Sequence, residues 1–513
     1  MPTLADLERP VGAALAAGRI GQPVFVRYLL HANKPIPDFS PDFQSIASVL
    51  QNSLAQPVVC GHSLICATTG QASFLLKSTQ ARLGLVSIAT SPAATAAADL
   101  TVLGTRGAIY HPVELLASVE ERFIDEGPMA SEPTKRPYGV LLVWGSHTHQ
   151  EDYAQAFAAD PRCRIVGVTD EVDVDPRRRE LNERLAQVLG VPYLLDLEDG
   201  LRRNDVDIVS ICAPPERRGR IAIRCAEAGK HLYLDKSLAP RLDEARGIVA
   251  AVQKAGVRSQ MFSFVSAPWA RRAKRVVESG ALGKLLAIHA DTFFAKGRSG
   301  TVGQPRIRQE EYPPQRHQLV EAKRELDNVG VYPITLVHWL TGQKFASVRA
   351  STANFFFAEH AKHDVEDFGA IVATLDDGTH VTIAAGRTGW SSHPAGGVNR
   401  LVLVGSDRSV TIDAHRPRLE VYADEPSWTP PPAHPEDPMA FWTSTQRESG
   451  VRPKQTWIPL EGPANDVACF LDRLDAQRET EMPASAAAHA TEVLLAAYKS
   501  AATGSLVPLP LGE

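Results

Sequence analysis

The chain predicts an α/β protein with a doubly wound parallel sheet of Rossmann type, joined to an α/β domain with a large, open, mostly antiparallel sheet and preceded by a second, smaller sheet domain. Three observations carry this. The central third alternates short apolar runs with amphipathic stretches at helical spacing; after residue 284 the apolar runs lengthen and alternate; and the first hundred residues repeat that later pattern in shortened form.

The central unit begins at Val140–Val143, a buried strand that runs into Trp144-Gly-Ser-His-Thr-His149. Asp152–Ala159 reads as a helix, Arg164–Thr169 as a strand ending on Asp170, and Arg177–Leu189 as a helix. Val206–Cys212 is a strand closed by Ala213-Pro214-Pro215, Arg218–Ala228 a helix, His231–Leu234 a strand followed by Asp235-Lys236-Ser237, and Leu242–Ala255 a helix stopped by Gly256. Continuous apolar strands separated by helices argue a parallel sheet covered on both faces, and such sheets bind ligands at the carboxyl ends of their strands. An acid at the end of the second strand, some 20 residues past the first turn, suits the adenosine ribose hydroxyls of a dinucleotide and repels a 2′-phosphate, which favours NAD over NADP. The competing reading of Asp170 is a strand-end acid capping the next turn.

Farther on, Leu285–Phe294, Phe345–Phe357, Phe368–Leu375, His380–Gly386, Asn399–Gly405 and Ser409–Ile412 alternate as strands of the open sheet, with Asp376–Thr379 as a turn. Arg387, Trp390 and His393 follow a strand, where they face a substrate or lie on an exposed loop. Pro426–Lys454 is a long polar, proline-rich excursion containing Trp428, Phe441 and Trp442, and Asp466–Ala476 and Ala486–Ala502 read as closing helices.

The front segment shows self-similarity to this sheet. Ala16–Val26 (AAGRIGQPVFV) parallels Glu278–Ile288 (ESGALGKLLAI), Leu100–Ile109 parallels Leu401–Val410, and Ala72–Ala89 mirrors Phe368–Ala385 as a hairpin. The expected domains are therefore 1–115, a degenerate copy of the C-terminal sheet; 116–136, a linker; 137–258, the dinucleotide unit; and 259–513, the substrate and oligomerisation domain. Two unrelated open sheets would give a looser version of the same pattern.

Composition sets limits. The chain has 513 residues, 44% hydrophobic and 22% charged, with a formal net charge of −5 and mixed signs. That is enough chain for roughly two to four domains of about 100–200 residues. No basic patch points to nucleic acid and no run is long enough to span a membrane. The six cysteines match no zinc spacing and no disulfide framework, and the first residues carry acids and no apolar signal core, so a reducing, cytoplasmic setting is expected. His147-x-His149 and His360-x-x-His363 lack a third ligand nearby in sequence, so no metal is expected.

The segments Val140–Asp170, DVDIVSICAPPE, AEAGKHLYLDKSLAP, ESGALGKL and LDNVGVYPITLVHWLTG, in that order and spacing, resemble the Gfo/Idh/MocA family of oxidoreductases over roughly residues 137 to 505. The resemblance implies a Rossmann domain, an open-sheet domain, NAD(P), and hydride transfer to or from a sugar, inositol or related polyol. It places the family's Glu-Lys-Pro motif on Asp235-Lys236-Ser237, with Lys236 beside the nicotinamide and the reacting hydroxyl. It places the family's helix-start motif on Asn328-Val-Gly-Val-Tyr332-Pro-Ile-Thr335, with Tyr332 where the acid/base histidine or tyrosine stands. Lys236 is expected to lower the Tyr332 phenol toward working pH. Asn328 and Thr335 replace carboxylates and are expected to orient substrate hydroxyls; Asp327 would point elsewhere on the helix. Cofactor contacts are expected from Gly145, Ser146, His147, Thr148, His149, Asp170, Ala213, Pro214, Asp235 and Lys236.

The loop departs from the glycine pattern: Trp144, Ser146 and His149 stand where three glycines would, and Gly145 is expected to shift the turn by one residue. A helix N-terminus attracts phosphate whatever the loop. The expected partner is a small polyhydroxylated molecule, in a chain that is a monomeric pseudo-dimer or a homo-oligomer, its extra sheet covering the face that family members often pair between subunits. Two other readings stay open: a catalytically silent scaffold, and an NAD-dependent lyase or glycosidase that recycles its cofactor.

Overall fold

The computed structural model describes residues 22–32, 58–66, 71–78, 82–90, 97–105, 107–112, 136–295, 305–317, 322–388, 397–407, 409–414, 418–422, 434–439, 455–459 and 465–512. Residues 116–135 of the expected linker, most of the 426–454 excursion, and Trp390 and His393 lie outside the described residues.

Strands β1 (Pro23–Ala32), β2 (Val58–Cys66), β3 (Gln71–Ser78), β4 (Leu83–Thr90), β5 (Ala97–Gly104) and β6 (Gly107–Pro112) form a sheet in the order β2-β3-β4-β1-β5-β6. A parallel sheet follows, in the order β12-β11-β10-β7-β8-β9, from β7 (Tyr138–Val143), β8 (Cys163–Thr169), β9 (Tyr193–Leu194), β10 (Ile208–Ile211), β11 (His231–Leu234) and β12 (Ser259–Met261). Its connecting helices are α1 (Gln150–Ala159), α2 (Pro176–Leu189), α3 (Leu197–Leu201), α4 (Pro215–Glu227) and α5 (Leu242–Ala255). Asp175 caps α2 by accepting from the Arg177 amide, and Gly190 and Gly256 end α2 and α5 in the left-handed conformation that costs glycine least.

After α6 (Pro268–Glu278) comes the large sheet: β13 (Leu285–Phe294), β14 (Arg306–Ile307), β15 (Phe345–Asn354), β16 (Phe368–Leu375), β17 (His380–Arg387), β18 (Gly397–Gly405) and β19 (Ser409–Asp413), in the order β14-β15-β16-β17-β13-β18-β19. Helix α7 (Glu325–Thr341) packs on β13 and β17, and α8 (Ala358–Lys362) follows β15. Strands β20 (Arg418–Tyr422) and β21 (Gln455–Pro459) pair with each other across the excursion. Helix α9 (Asp466–Asp475) lies against α1, and α10 (Ala484–Thr503) packs on α5, α7 and β15, where β22 (Val507–Pro508) adds to the sheet. The expected strand over 345–357 stops at Asn354, because the amides of Phe355, Phe356 and Phe357 all turn onto the buried Asp367 carboxylate.

The first and third sheets share one topology. β4 pairs parallel with β1, as β17 does with β13, and the neighbouring pairs are antiparallel in both. β1 and β13 each have 10 residues, and β3, β16, β4 and β17 each have 8. The register shifts after Pro23 in β1 and after Leu285 in β13. These sheets pack face to face. Phe25, Leu75, Leu85 and Leu103 share a core with Phe293, Phe355, Phe368 and Val372, and the Phe25 and Phe368 rings lie 4.9 Å apart. The opposite face of the large sheet, with Ile288, Ile371 and Ile383, packs on the helices.

One charge crosses the sheet interface. Arg27 is fully buried; its Nη2 lies 2.7 Å from Asp291 on β13, and its Nη1 donates to Thr382 Oγ1 at 3.0 Å. Removing one member of a buried ion pair strands the other charge. Arg27→Leu should therefore lower unfolding stability by about 3–5 kcal/mol in a urea titration.

Candidate active site

The carboxyl ends of β7, β8, β10 and β11 converge where a ligand of a doubly wound sheet sits. The turn after β7 is not shifted: Trp144 itself takes the left-handed φ of 75°, a conformation that suits the glycine it replaces. The Arg178 guanidinium stacks 4.6 Å above its ring, and Arg178 Nη1 donates to Ser146 O at 2.9 Å. Gly145 is needed for a different close approach. A Cβ there would lie 2.8 Å from Asn182 Cα on α2. Thr148 Oγ1 donates to Gly145 O at 2.6 Å and accepts from the Gln150 amide at the start of α1. The His147 amide donates to Glu151 Oε2 at 3.1 Å, so a carboxylate of the chain itself takes one of the turn's amide donors. The His147 ring stacks on His434 at 4.4 Å, which brings the described part of the excursion over this loop.

Asp170 differs from expectation. It is fully buried, accepts from Asn182 Nδ2 and from the Glu171 amide (both 2.8 Å), and is pushed up to about 6 by burial. Its carboxylate is engaged internally rather than presented to a ribose. Glu171 beside it is held by Arg217, Arg220 and Arg224.

At the end of β11, Asp235 Oδ1 accepts from His149 Nδ1 at 2.8 Å and from Tyr153 Oη at 2.7 Å, while Oδ2 faces Arg218 at 3.3 Å. Burial alone would raise this carboxyl, but His149, Arg218 and Lys236 outweigh it and hold it well below the usual range. Burial brings His149 down to about 4, so a neutral imidazole donates Nδ1–H to an anionic Asp235. Arg218 also donates to Ala213 O at 2.7 Å and to Ser237 O, tying the turn at Ala213-Pro214 to the lysine motif.

Lys236 is buried, and its Nζ donates to Asn328 O at 2.6 Å and to Asn328 Oδ1. Burial lowers it to about 8, and Arg387 adds to the shift against Asp235, Glu325 and Asp327. Asn328 Nδ2 donates to Glu325 Oε2 at 2.8 Å, and Glu325 Oε1 accepts from Arg387 Nε at 3.0 Å. Arg387 is thus buried in the site and not on an exposed loop. Lys323, just ahead of α7, is a second buried amine, lowered to about 7 by burial and then by Lys236 and Arg387.

Further expectations are reversed. The Tyr332 ring is 4% exposed and lies flat on Phe264 at 4.0 Å, with Phe262 and Phe294 edge-on. Lys236 Nζ sits 5.3 Å over the face of the ring, and burial raises the phenol well above its ordinary value instead of lowering it. Thr335 Oγ1 donates back to Val331 O and Tyr332 O, both at 2.9 Å, so its hydroxyl serves its own helix. Asn328, expected to orient substrate hydroxyls, has both ends of its amide engaged by the protein, at Lys236 and at Glu325. Asp327 does not point away: its Oδ2 accepts from Ser237 Oγ at 2.5 Å.

A cleft of about 950 Å³ opens beside these groups, lined among others by His147, His149, Tyr153, Phe262, Phe264 and Tyr332. Among the described residues no three His, Cys, Asp or Glu side chains are grouped to hold a metal, and no helix is long and apolar enough to cross a membrane. Sequence reading missed Glu325, Arg218 and Lys323. The signal for Glu325 was its place in an acidic first helical turn, two residues ahead of Asp327.

A family model described as an oxidoreductase family with an NAD-binding Rossmann fold matches residues 141–263. A second, for the GFO/IDH/MocA C-terminal domain, matches 270–411, so the two cover about half of the chain. Glucose-fructose oxidoreductase domain-containing protein 1 of Mus musculus is 27% identical over 247 residues, 45% of this chain and 59% of that protein. Inositol 2-dehydrogenase 2 of Saccharopolyspora erythraea is 24% identical over 181 residues, 35% of this chain and 47% of that protein. The chain thus spans less than two thirds of the length of these curated relatives. GenD2 from gentamicin A biosynthesis, solved in complex with NAD, superposes with a TM-score of 0.57 at 21% identity, over 75% of this chain and 99% of that one. A putative myo-inositol dehydrogenase from Sinorhizobium meliloti gives 0.55 at 16% identity, over 72% and 99%. At these identities the two structures establish the fold alone.

The residues present fit NAD at both ends of the groove. A ten-residue helix starts at the β7 turn, and a buried cation stands at the end of β11. Glu151 is the internal competitor for the phosphate end. Glu151→Gln should tighten NAD binding by roughly 1 kcal/mol, about fivefold, in isothermal titration calorimetry.

Proposed function

The chain belongs to the Gfo/Idh/MocA family of oxidoreductases, and from that premise we propose that it moves a hydride between NAD and a hydroxyl-bearing or keto carbon of a small polyhydroxylated molecule. The observation that carries the reading is Lys236: a buried ammonium at the carboxyl end of β11, pinned to the first turn of α7, with its Nζ 5.3 Å over the ring of Tyr332, which lines the cleft. Bound in the groove, NAD would supply the hydride acceptor. The β7 turn from Gly145 to His149 would face its pyrophosphate, and Ala213, Pro214, Asp235 and Lys236 its nicotinamide end.

The rest of the chemistry belongs to the side chains. A carbon that loses hydride leaves oxygen charge, and an ammonium kept from water by the protein stabilises that charge more strongly than one in solvent. Asp235 fixes the charge balance around Lys236, and Asn328 fixes its position. Tyr332 serves as a flat apolar wall with Phe264. The names of inositol 2-dehydrogenase 2 and of levoglucosan dehydrogenase from Pseudarthrobacter phenanthrenivorans, 36% identical over 85 residues, support a cyclic polyol or sugar as substrate. The silent-scaffold reading draws on the Glu151 carboxylate at the His147 amide. Binding of NAD with no turnover on any sugar, glycoside or polyol would favour it.

The first six strands have a role in the same proposal. Residues 1–115 are read as a shortened copy of the sheet domain that covers the large sheet from within the chain, so the face needs no second subunit. Matching topology and the buried Arg27–Asp291 pair support this.

The test is a screen of cyclic polyols, sugars and glycosides, followed at the reduced-nicotinamide absorbance band. Lys236→Met should lower kcat/KM by about 10²–10³. A lysine at about 8 is cationic below that pH and neutral above it. The wild-type rate limb that depends on the ammonium should therefore fall as pH rises through about 8, and that limb should be absent in the variant.

A further inference from the structure

Burial raises Tyr332, and His149 is committed to Asp235, so neither is placed to take the hydroxyl proton. We propose that His317 is the acid–base residue of this reaction and that Asp327 is its positioning residue; this rests on the oxidoreductase reading above.

His317 lies in the stretch between β14 and α7 and is 6% exposed. Its Nδ1 is 3.9 Å from Asp327 Oδ2, and neither ring nitrogen has a hydrogen-bond partner among the described residues. A buried polar atom left unmet costs about 1–3 kcal/mol, so an imidazole with both nitrogens idle calls for a partner that arrives with a ligand. The neighbourhood says which ligand. Asp327 accepts from Ser237, the residue after Lys236, and Lys236 donates to Asn328, the residue after Asp327. The carboxylate nearest the imidazole, Asp327, and the residue that holds the ammonium, Asn328, are therefore neighbours in the chain. The Arg324 amide donates to His317 O at 3.1 Å, which anchors the stretch to the start of α7.

The charged groups facing His317 are Asp327 on α7, Glu216 on α4 and Arg324 ahead of α7. Burial works against the imidazolium, but Asp327 and Glu216 outweigh burial and Arg324, and raise His317 above its ordinary value. In the oxidative direction the substrate O–H bond breaks and its proton passes to a neutral ring nitrogen of His317. The C–H bond breaks, its hydrogen leaving with both bonding electrons as the hydride that bound NAD would accept, and a C=O bond forms. The imidazolium then rests against Asp327, and Lys236 holds the oxygen. Reduction runs the same steps backward, with the imidazolium as acid. The oxidative rate should thus rise with pH through the His317 pKa and the reductive rate should fall.

The test has two arms on the full chain. In the first, histidine ring resonances are titrated by NMR, with the His317 signal assigned by its loss in His317→Gln. Its pKa should lie above about 6.5, drop in Asp327→Asn, and move on saturation with NADH. In the second, on any substrate found by the screen, His317→Ala should lower kcat by about 10²–10⁴, and added imidazole should restore part of it. Asp327→Asn should move the oxidative limb to lower pH. If the screen finds no substrate, the polyol reading fails and the NMR arm still decides. A His317 signal indifferent to both Asp327→Asn and NADH overturns the proposal, and so does a folded His317→Ala or His317→Gln with wild-type kcat.

Discussion

Lys236 sits at the end of a parallel strand, out of water, with its ammonium bonded to the first turn of α7. An ammonium in that position is costly unless several partners converge on it. Much of the surrounding architecture meets that requirement. Asp235 carries the compensating charge and is itself held by His149 and Tyr153 at the start of α1 and by Arg218 on α4. Asn328 passes the contact to Glu325, and Glu325 to Arg387 at the end of β17. The nucleotide-fold sheet and the open sheet are thereby joined through one chain of charged hydrogen bonds, and the cleft lies beside it. The same desolvation that lowers the lysine raises Tyr332, so a single physical cause brings one group toward neutral pH and removes the other from it.

The open sheet positions α7, and the extra sheet supports the open sheet. β13 presents Ile288 and Ala290 to the helices and Phe293 to the β1–β6 sheet, the alternation expected of a strand buried on both faces. Arg27 is the polar exception in that interface, matched by Asp291 and Thr382. A buried pair of this kind fixes register more than it adds stability. Here it locks β1 against β13 and β17, the two strands on which α7 rests.

Much of this was legible in the sequence. The parallel unit was readable because apolar runs and helical stretches alternate, with a clear stop at Gly256. The shared topology of the two open sheets was foreshadowed by segments that match in spacing: Gln71–Ser78 and Leu83–Thr90 against Phe368–Leu375 and His380–Arg387. Motif position singled out Lys236 and Asn328, but not the bond between them. What failed was side-chain environment. Sequence places Tyr332 on the right turn but does not show Phe264 stacked on it, and it places Asp170 at a strand end without showing Asn182 beneath it. Thr335 back-bonding to its own helix is equally invisible. His317 falls in a proline-containing stretch with no periodicity, so nothing local ties it to Asp327. Only the tertiary fold brings them together.

The central claim is that the Trp-Gly-Ser-His-Thr-His turn and Lys236 still hold a nicotinamide dinucleotide. Native mass spectrometry of the purified chain, with and without added NAD and NADP, tests it most directly. The account predicts a mass shift of one NAD per chain that weakens in Lys236→Met. A folded chain that takes up neither cofactor would contradict it and leave the fold as a scaffold without its redox chemistry.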